Sequence, residues 1–121
     1  VRKAVSSIIP TMRKSDLASL SFHEKLLLLG IARLFKESHK AYVSLVEAEQ
    51  AYAIVCEEFS AETHSHTQLW KHLQTLSAVG IVETEVSSIG SAGRSTLIYL
   101  ARIPILELEK ELSALLEKEE V

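Results

Sequence analysis

At 121 residues, with 47% hydrophobic and 24% charged side chains, the chain has the size and balance of one globular domain that buries roughly two thirds of its unfolded surface. Its longest strongly apolar run, Leu26 to Leu29, is far too short to cross a bilayer, so no membrane partner is expected. A formal net charge of −3 argues against a uniformly basic polyanion binder.

Cys56 is the single cysteine, so no internal disulfide can form, which fits a reducing cytoplasm. The first residue is Val1, with neither a methionine nor a charged-then-apolar leader, and the chain is expected to be part of a longer polypeptide without a secretion signal. Charge is unevenly placed. Residues 1 to 40 carry Arg2, Lys3, Arg13, Lys14, Lys25, Arg33, Lys36 and Lys40 against Asp16, Glu24 and Glu37, whereas residues 106 to 121 carry six glutamates against Lys110 and Lys118. If the domain touches a polyanion, its tail must face away.

In chain order, "VRKAVSSI" and "DLASL" read as short lead-in helices parted at Pro10. Three later helix starts share one signature, a serine followed three residues on by Glu or Gln, which can satisfy two orphaned backbone donors reciprocally. "SFHE" at Ser21 opens a helix to about Glu37, with Leu26, Leu29, Arg33 and Leu34 marking a partly apolar stripe. "AYVSL" is a short β-favouring segment, and "SLVE" at Ser44 opens a second helix to about Phe59, where Leu45, Ala48, Tyr52, Val55 and Phe59 recur at helical spacing. "SHTQ" at Ser65 opens a third helix, His66 to Ala78, stopped by Gly80. Two strands, about Ile81 to Val86 and Ser95 to Ala101, form a hairpin. Pro104 then starts a final helix with Ile105, Leu108, Leu112 and Leu115 on one face. Helix, short strand, helix, helix, strand, strand is the order of a winged helix-turn-helix, a mainly α fold with a small β-hairpin (α+β).

On the third helix Leu69, Leu73 and Leu76 define the buried side, with Trp70 at its margin, while Thr67, Gln68, Lys71 and Thr75 point away. Hydroxyls, an amide and an ammonium without acids suit base edges and phosphates, and they equally suit an ordinary solvated face. "HSH" at His64 and His66, with His72 beyond, lacks a second ligand pair at finger spacing, so a capping turn is the expected setting and no metal is assigned. Cys56, His23 and His39 assemble into no nucleophile and base, and no phosphate-cradling glycine loop is present. No catalytic residue and no cofactor site are expected in this chain.

The stretches "LSFHEKLLLLGIARL", "AYAIVCEEF", "SHTQLWKHLQTLSAVGIVETEV" and "GRSTLIYL" resemble the carboxy-terminal winged-helix domain of archaeal replication initiators, AAA+ ATPases related to the origin recognition complex and to its cell-division-control helicase-loading partner. The resemblance covers about Leu20 to Leu116, with residues 1–19 matching the end of a preceding ATPase lid and residues 20–121 the winged helix with its last helix. It implies a third helix in the major groove of origin duplex DNA and a wing in the adjacent minor groove. Residue by residue it points to Ser65, His66, Thr67, Gln68, Lys71 and Thr75 on the helix, and to Gly93 and Arg94 on the wing. By the same resemblance ATP and Mg belong to a separate ATPase module, partners extend to the replicative helicase or other initiator subunits, and the location is cytoplasmic and nucleoid-associated. A winged helix used for protein contact in initiator or helicase-loading assembly is the alternative.

The wing tip has its own logic. Ser87, Ser88, Gly90, Ser91, Ala92 and Gly93 make a slim tip around a single cation, Arg94. A minor groove about 6 Å wide admits only such a tip, and its negative potential favours one guanidinium. Turn-shaping glycines with an edge charge that discourages sheet pairing are the competing account, and the resemblance favours insertion.

Overall fold

The computed structural model describes residues 17–38, 41–87, 95–100 and 104–119. The elements are α1 (Phe22–Ser38), β1 (Val43–Ser44), α2 (Leu45–Glu58), α3 (His66–Ala78), β2 (Val82–Ser87), β3 (Ser95–Leu100) and α4 (Ile105–Glu119). This is the anticipated order, and the three strands form one antiparallel sheet, β1–β3–β2. The lead-in segment "VRKAVSSI" and the wing tip at 88–94 lie outside the described residues.

Local chemistry explains the helix starts. At Ser21 the Glu24 amide donates to Oγ at 3.2 Å, and the Ser21 amide donates to the Glu24 carboxylate at 2.9 Å. Ser44 and Glu47 make the same reciprocal pair at the start of α2. At Ser65 only half of it forms, the Gln68 amide N–H donating to Oγ. Among the described residues the Gln68 side chain returns no bond, so its amide remains at the surface.

The helix ends are also matched. After α2 the Ala61 N–H reaches Cys56 O and the Ser60 N–H reaches Glu57 O; after α3 Ile81 reaches Leu76 O and Gly80 reaches Ser77 O. Both are Schellman endings that turn on a left-handed residue. Gly80 takes φ +85° as expected of a glycine, and Ser60 takes φ 56° although it carries a Cβ.

The core departs from the sequence reading at α1. Lys25 through Ala32 and Phe35 are all buried, so α1 has no open side in its middle turns. A helix apolar all round belongs inside a domain, and the uninterrupted run Leu26–Ala32 outweighs the narrower stripe of Leu26, Leu29, Arg33 and Leu34. α2, α3 and α4 pack around it. Gly30 lets α2 come close: a Cβ there would meet the Tyr52 nitrogen at 3.0 Å and the Ala51 carbonyl carbon at 3.1 Å.

α4 closes the core with Leu108, Leu112 and Leu116, while Ile105 and Leu115 are partly buried beside them. The sheet adds Val43 and Ile98, which pair across β1 and β3, and Val82. On the hairpin's outer face the Tyr99 hydroxyl donates to Glu85 across the strands at 2.9 Å.

An ion cluster fixes the outer helices to α1. Arg33 donates to both Glu58 oxygens at 2.8 and 3.0 Å, with Glu109 at 3.5 Å, and Lys36 donates to Glu109 at 2.8 Å. Hydrogen bonding to Arg33 lowers the Glu58 pKa, and the Glu58 hydrogen bond raises that of Arg33. Two cations of the basic first third are thereby committed to acids, and Lys25 is buried. The acidic tail contributes Glu109 to this cluster.

Candidate nucleic-acid interface

Leu69, Leu73 and Leu76 anchor α3 in the core, as its periodicity anticipates. The opposite side is open: Ser65, His66, Thr67, Gln68 and Lys71 are all exposed. Residues three and four apart share a helix face, so Thr67, Gln68 and Lys71 form one patch over the first two turns. Thr75 is half-buried, and its hydroxyl donates to the Lys71 carbonyl at 3.2 Å. That internal bond takes up the donor which the sequence reading had turned outward. Gly93 and Arg94 lie outside the described residues.

Among the described residues Lys71 is the cation of this patch, and no acid stands on α3 itself. An amide with two donors and an acceptor, a threonine and an ammonium form a surface of the kind that meets base edges and phosphates. The first turn of a helix, here beginning at His66 with the Gln68 backbone N–H already taken by Ser65 Oγ, is an end that favours anions.

Behind the patch lies an aromatic cluster that sequence reasoning missed. Tyr52 of α2 accepts the His64 N–H at 2.8 Å, and its hydroxyl lies 2.8 Å from His23 Nδ1 on α1. His64 stacks on His23 with ring centroids 3.5 Å apart, and its Nδ1 lies 2.9 Å from His72 Nε2 on α3. The turn between the two helices is therefore held from three sides. Burial, then the neighbouring imidazoles His64 and His72, lowers the His23 pKa. For His72 burial acts first and His64 adds to it, while Glu24, 3.9 Å away, works in the opposite direction. Burial pushes the Tyr52 phenol up to about 12, and burial also raises the Cys56 thiol. A buried, raised thiol is a poor nucleophile.

No group of three or more His, Cys, Asp or Glu among the described residues is placed to hold a metal. The "HSH" motif divides instead: His64 turns inward to the cluster, and His66 pairs through Nδ1 with the Glu49 carboxylate of α2. "HSH" and His72 were the visible part of this arrangement; His23, Tyr52 and Glu49 come from other elements, with no local spacing to reveal them.

A three-helix core with its third helix presented to solvent, followed by a hairpin whose return strand pairs with a short strand before the second helix, defines a winged helix. Residues 15–110 match the family model described as the Cdc6 C-terminal winged helix domain. The chain belongs to that family. It is 31% identical over 113 residues to the ORC1-type DNA replication protein 2 of Saccharolobus solfataricus, covering 92% of this chain and 26% of that protein. The crystal structure of Cdc6p from Pyrobaculum aerophilum superposes with a TM-score of 0.84 at 36% identity, over 100% of this chain and 30% of that one. The Aeropyrum pernix ORC1 protein, solved in complex with DNA, gives a TM-score of 0.72 at 25% identity, over 84% of this chain and 26% of that one. The chain thus spans about a quarter of the curated relative's length. It is a winged-helix domain of the ORC1/Cdc6 type.

Proposed function

We propose that this domain binds origin duplex DNA, with α3 in the major groove and the wing in the adjacent minor groove, as a binding module without chemistry of its own. The observation that carries the reading is the exposed Thr67–Gln68–Lys71 patch, acid-free and mounted on a helix whose other side is locked in the core. The relative solved in complex with DNA supports it. In the whole protein, residues 1–19 would continue an ATPase lid, ATP and Mg would act in that separate module, and other initiator subunits or the replicative helicase would be partners.

Fluorescence anisotropy with a duplex from the source organism's own origin against a scrambled duplex tests this. Tighter binding to the origin is expected, with a log–log salt slope of about −3 for three or four phosphate contacts. On the wing, Arg94→Ala should leave folding intact and weaken origin binding about tenfold, or 1.4 kcal/mol. An unchanged affinity would make Arg94 an edge charge. Absence of saturable duplex binding would return the domain to the protein-contact reading.

A further inference from the structure

α2 has an outward line that the DNA reading leaves unused. Val46, Gln50 and Ile54 stand four residues apart and so share one face of the helix, with Val46 61% and Ile54 57% exposed. Beside this face, between α2 and α1, lies a depression whose apolar lining is Leu34, Ala51 and Ile54. Ala51 is the residue that α2 sets against Gly30 of α1, its Cβ 3.2 Å from where a Cβ on that glycine would stand. No residue of α3 lines the depression, so it is separate from the Thr67–Gln68–Lys71 patch.

The rim is acidic. Glu37, Glu47 and Glu58 border the depression, and Glu57 and Glu62 border a second one that shares Ile54. The cation among these residues, Arg33, already donates to both Glu58 oxygens and stands 3.5 Å from Glu109. α2 itself supplies no Lys or Arg. A face of this charge repels phosphate, which argues against nucleic acid and against an anionic lipid surface as its occupant. An apolar line flanked by carboxylates suits instead a helix with apolar side chains at i, i+4 and i+7 and cations beside them.

We propose that the groove between α1 and α2 docks a basic amphipathic helix of a partner protein, Ile54 and Leu34 meeting its apolar side and the surrounding glutamates its lysines and arginines. The inference stands apart from the DNA reading, because the two surfaces share no residue. It gives the domain two binding faces of opposite chemistry.

The probe is a fluorescein-labelled synthetic helix of about 18 residues, long enough to be helical in isolation, with leucines at i, i+4 and i+7 and lysines flanking them. Anisotropy is read on the 121-residue chain, on Ile54→Gln, on the double variant Glu37→Lys with Glu57→Lys, and on Val86→Gln, which alters an equally exposed residue of β2. A melt of each confirms folding. The parent and Val86→Gln should bind saturably, and Ile54→Gln and the double charge reversal should each bind about tenfold more weakly. Added salt should weaken the parent more than the double variant. The same peptide with glutamates for its lysines should not bind. In NMR spectra the Gln50 and Ile54 amide signals should shift with the lysine peptide while those of Gln68 and Lys71 stay in place.

No saturable binding by the parent, undiminished binding by Ile54→Gln, or equal binding of the glutamate peptide overturns the proposal. Shifts confined to the acidic α4 overturn it too, since they place the peptide there. A parent dimer that Ile54→Gln dissolves makes a second copy the occupant instead. If the full-length protein refuses a peptide that the 121-residue chain takes, the groove is covered within its own polypeptide and the partner reading falls.

Discussion

α1 and α3 are both long helices of the same three-helix core, yet their surroundings are opposite. α1 is enclosed from Lys25 to Ala32, whereas α3 buries Leu69, Leu73 and Leu76 on one side and exposes His66, Thr67, Gln68 and Lys71 on the other. The contrast separates two kinds of residue. Substitutions in that enclosed run of α1 act on function only through the population of folded molecules, while those on the outer face of α3 can act on binding with the fold untouched.

The largest expected effect lies in α1. Leu28 is fully buried, so Leu28→Ala should destabilise by about 2–5 kcal/mol through lost burial and the cavity left behind. Denaturant unfolding measures this, and an unchanged midpoint would break the contrast at its stronger end. Gln68→Ala should do the reverse. Its stability change should stay within about 0.5 kcal/mol, while origin affinity falls by about 1–3 kcal/mol and random duplex is affected less. Lys71→Ala should weaken both duplexes more evenly, as a phosphate contact does. Equal losses for Gln68→Ala on both duplexes would make it a positioning contact too.

The smallest effect sharpens the comparison at the seam between the two helices, where His23 of α1 and His72 of α3 enclose His64. Both have folded-state pKa values below the ordinary 6.5, so the unfolded chain binds more protons. Their contribution to stability is complete above pH 6.5 and is lost as pH falls through 6.5 toward the lowered values. A melting temperature a few degrees lower at pH 5 than at pH 7.5 is expected, with a smaller drop for His23→Phe. A melting temperature that rises toward acid would contradict the sign.

Much of this fold was legible because it is written locally. The serine-to-glutamate pairs at Ser21 and Ser44 form as reciprocal caps, and the Leu69–Leu73–Leu76 spacing marks the buried side of α3. The environment of α1 was less legible, since a stripe pattern presumes a solvated face and the run Leu26–Ala32 has none. Of the candidate site, Ser65, His66, Thr67, Gln68 and Lys71 are together and exposed, because one helix turn sets their spacing. The Thr75 hydroxyl is turned back to the backbone. The His23–Tyr52–His64–His72 cluster and the Glu49–His66 pair join residues from separate elements, and only the packing of those elements makes them neighbours.

Ser44 has a mechanical consequence. It is the last residue of β1, paired with Leu97 of β3, and it is also the N-cap of α2. No residue separates β1 from α2, so the strand that pairs with the wing's return strand runs directly into the second helix. A torque applied at the hairpin passes through that single serine into α2, and through Tyr52 and His64 into the turn that aims α3. On the proposed DNA reading, α3 and the wing would then act as a caliper of set opening, and a duplex bound by both would have to offer its major and adjacent minor grooves at one phase of the helical repeat.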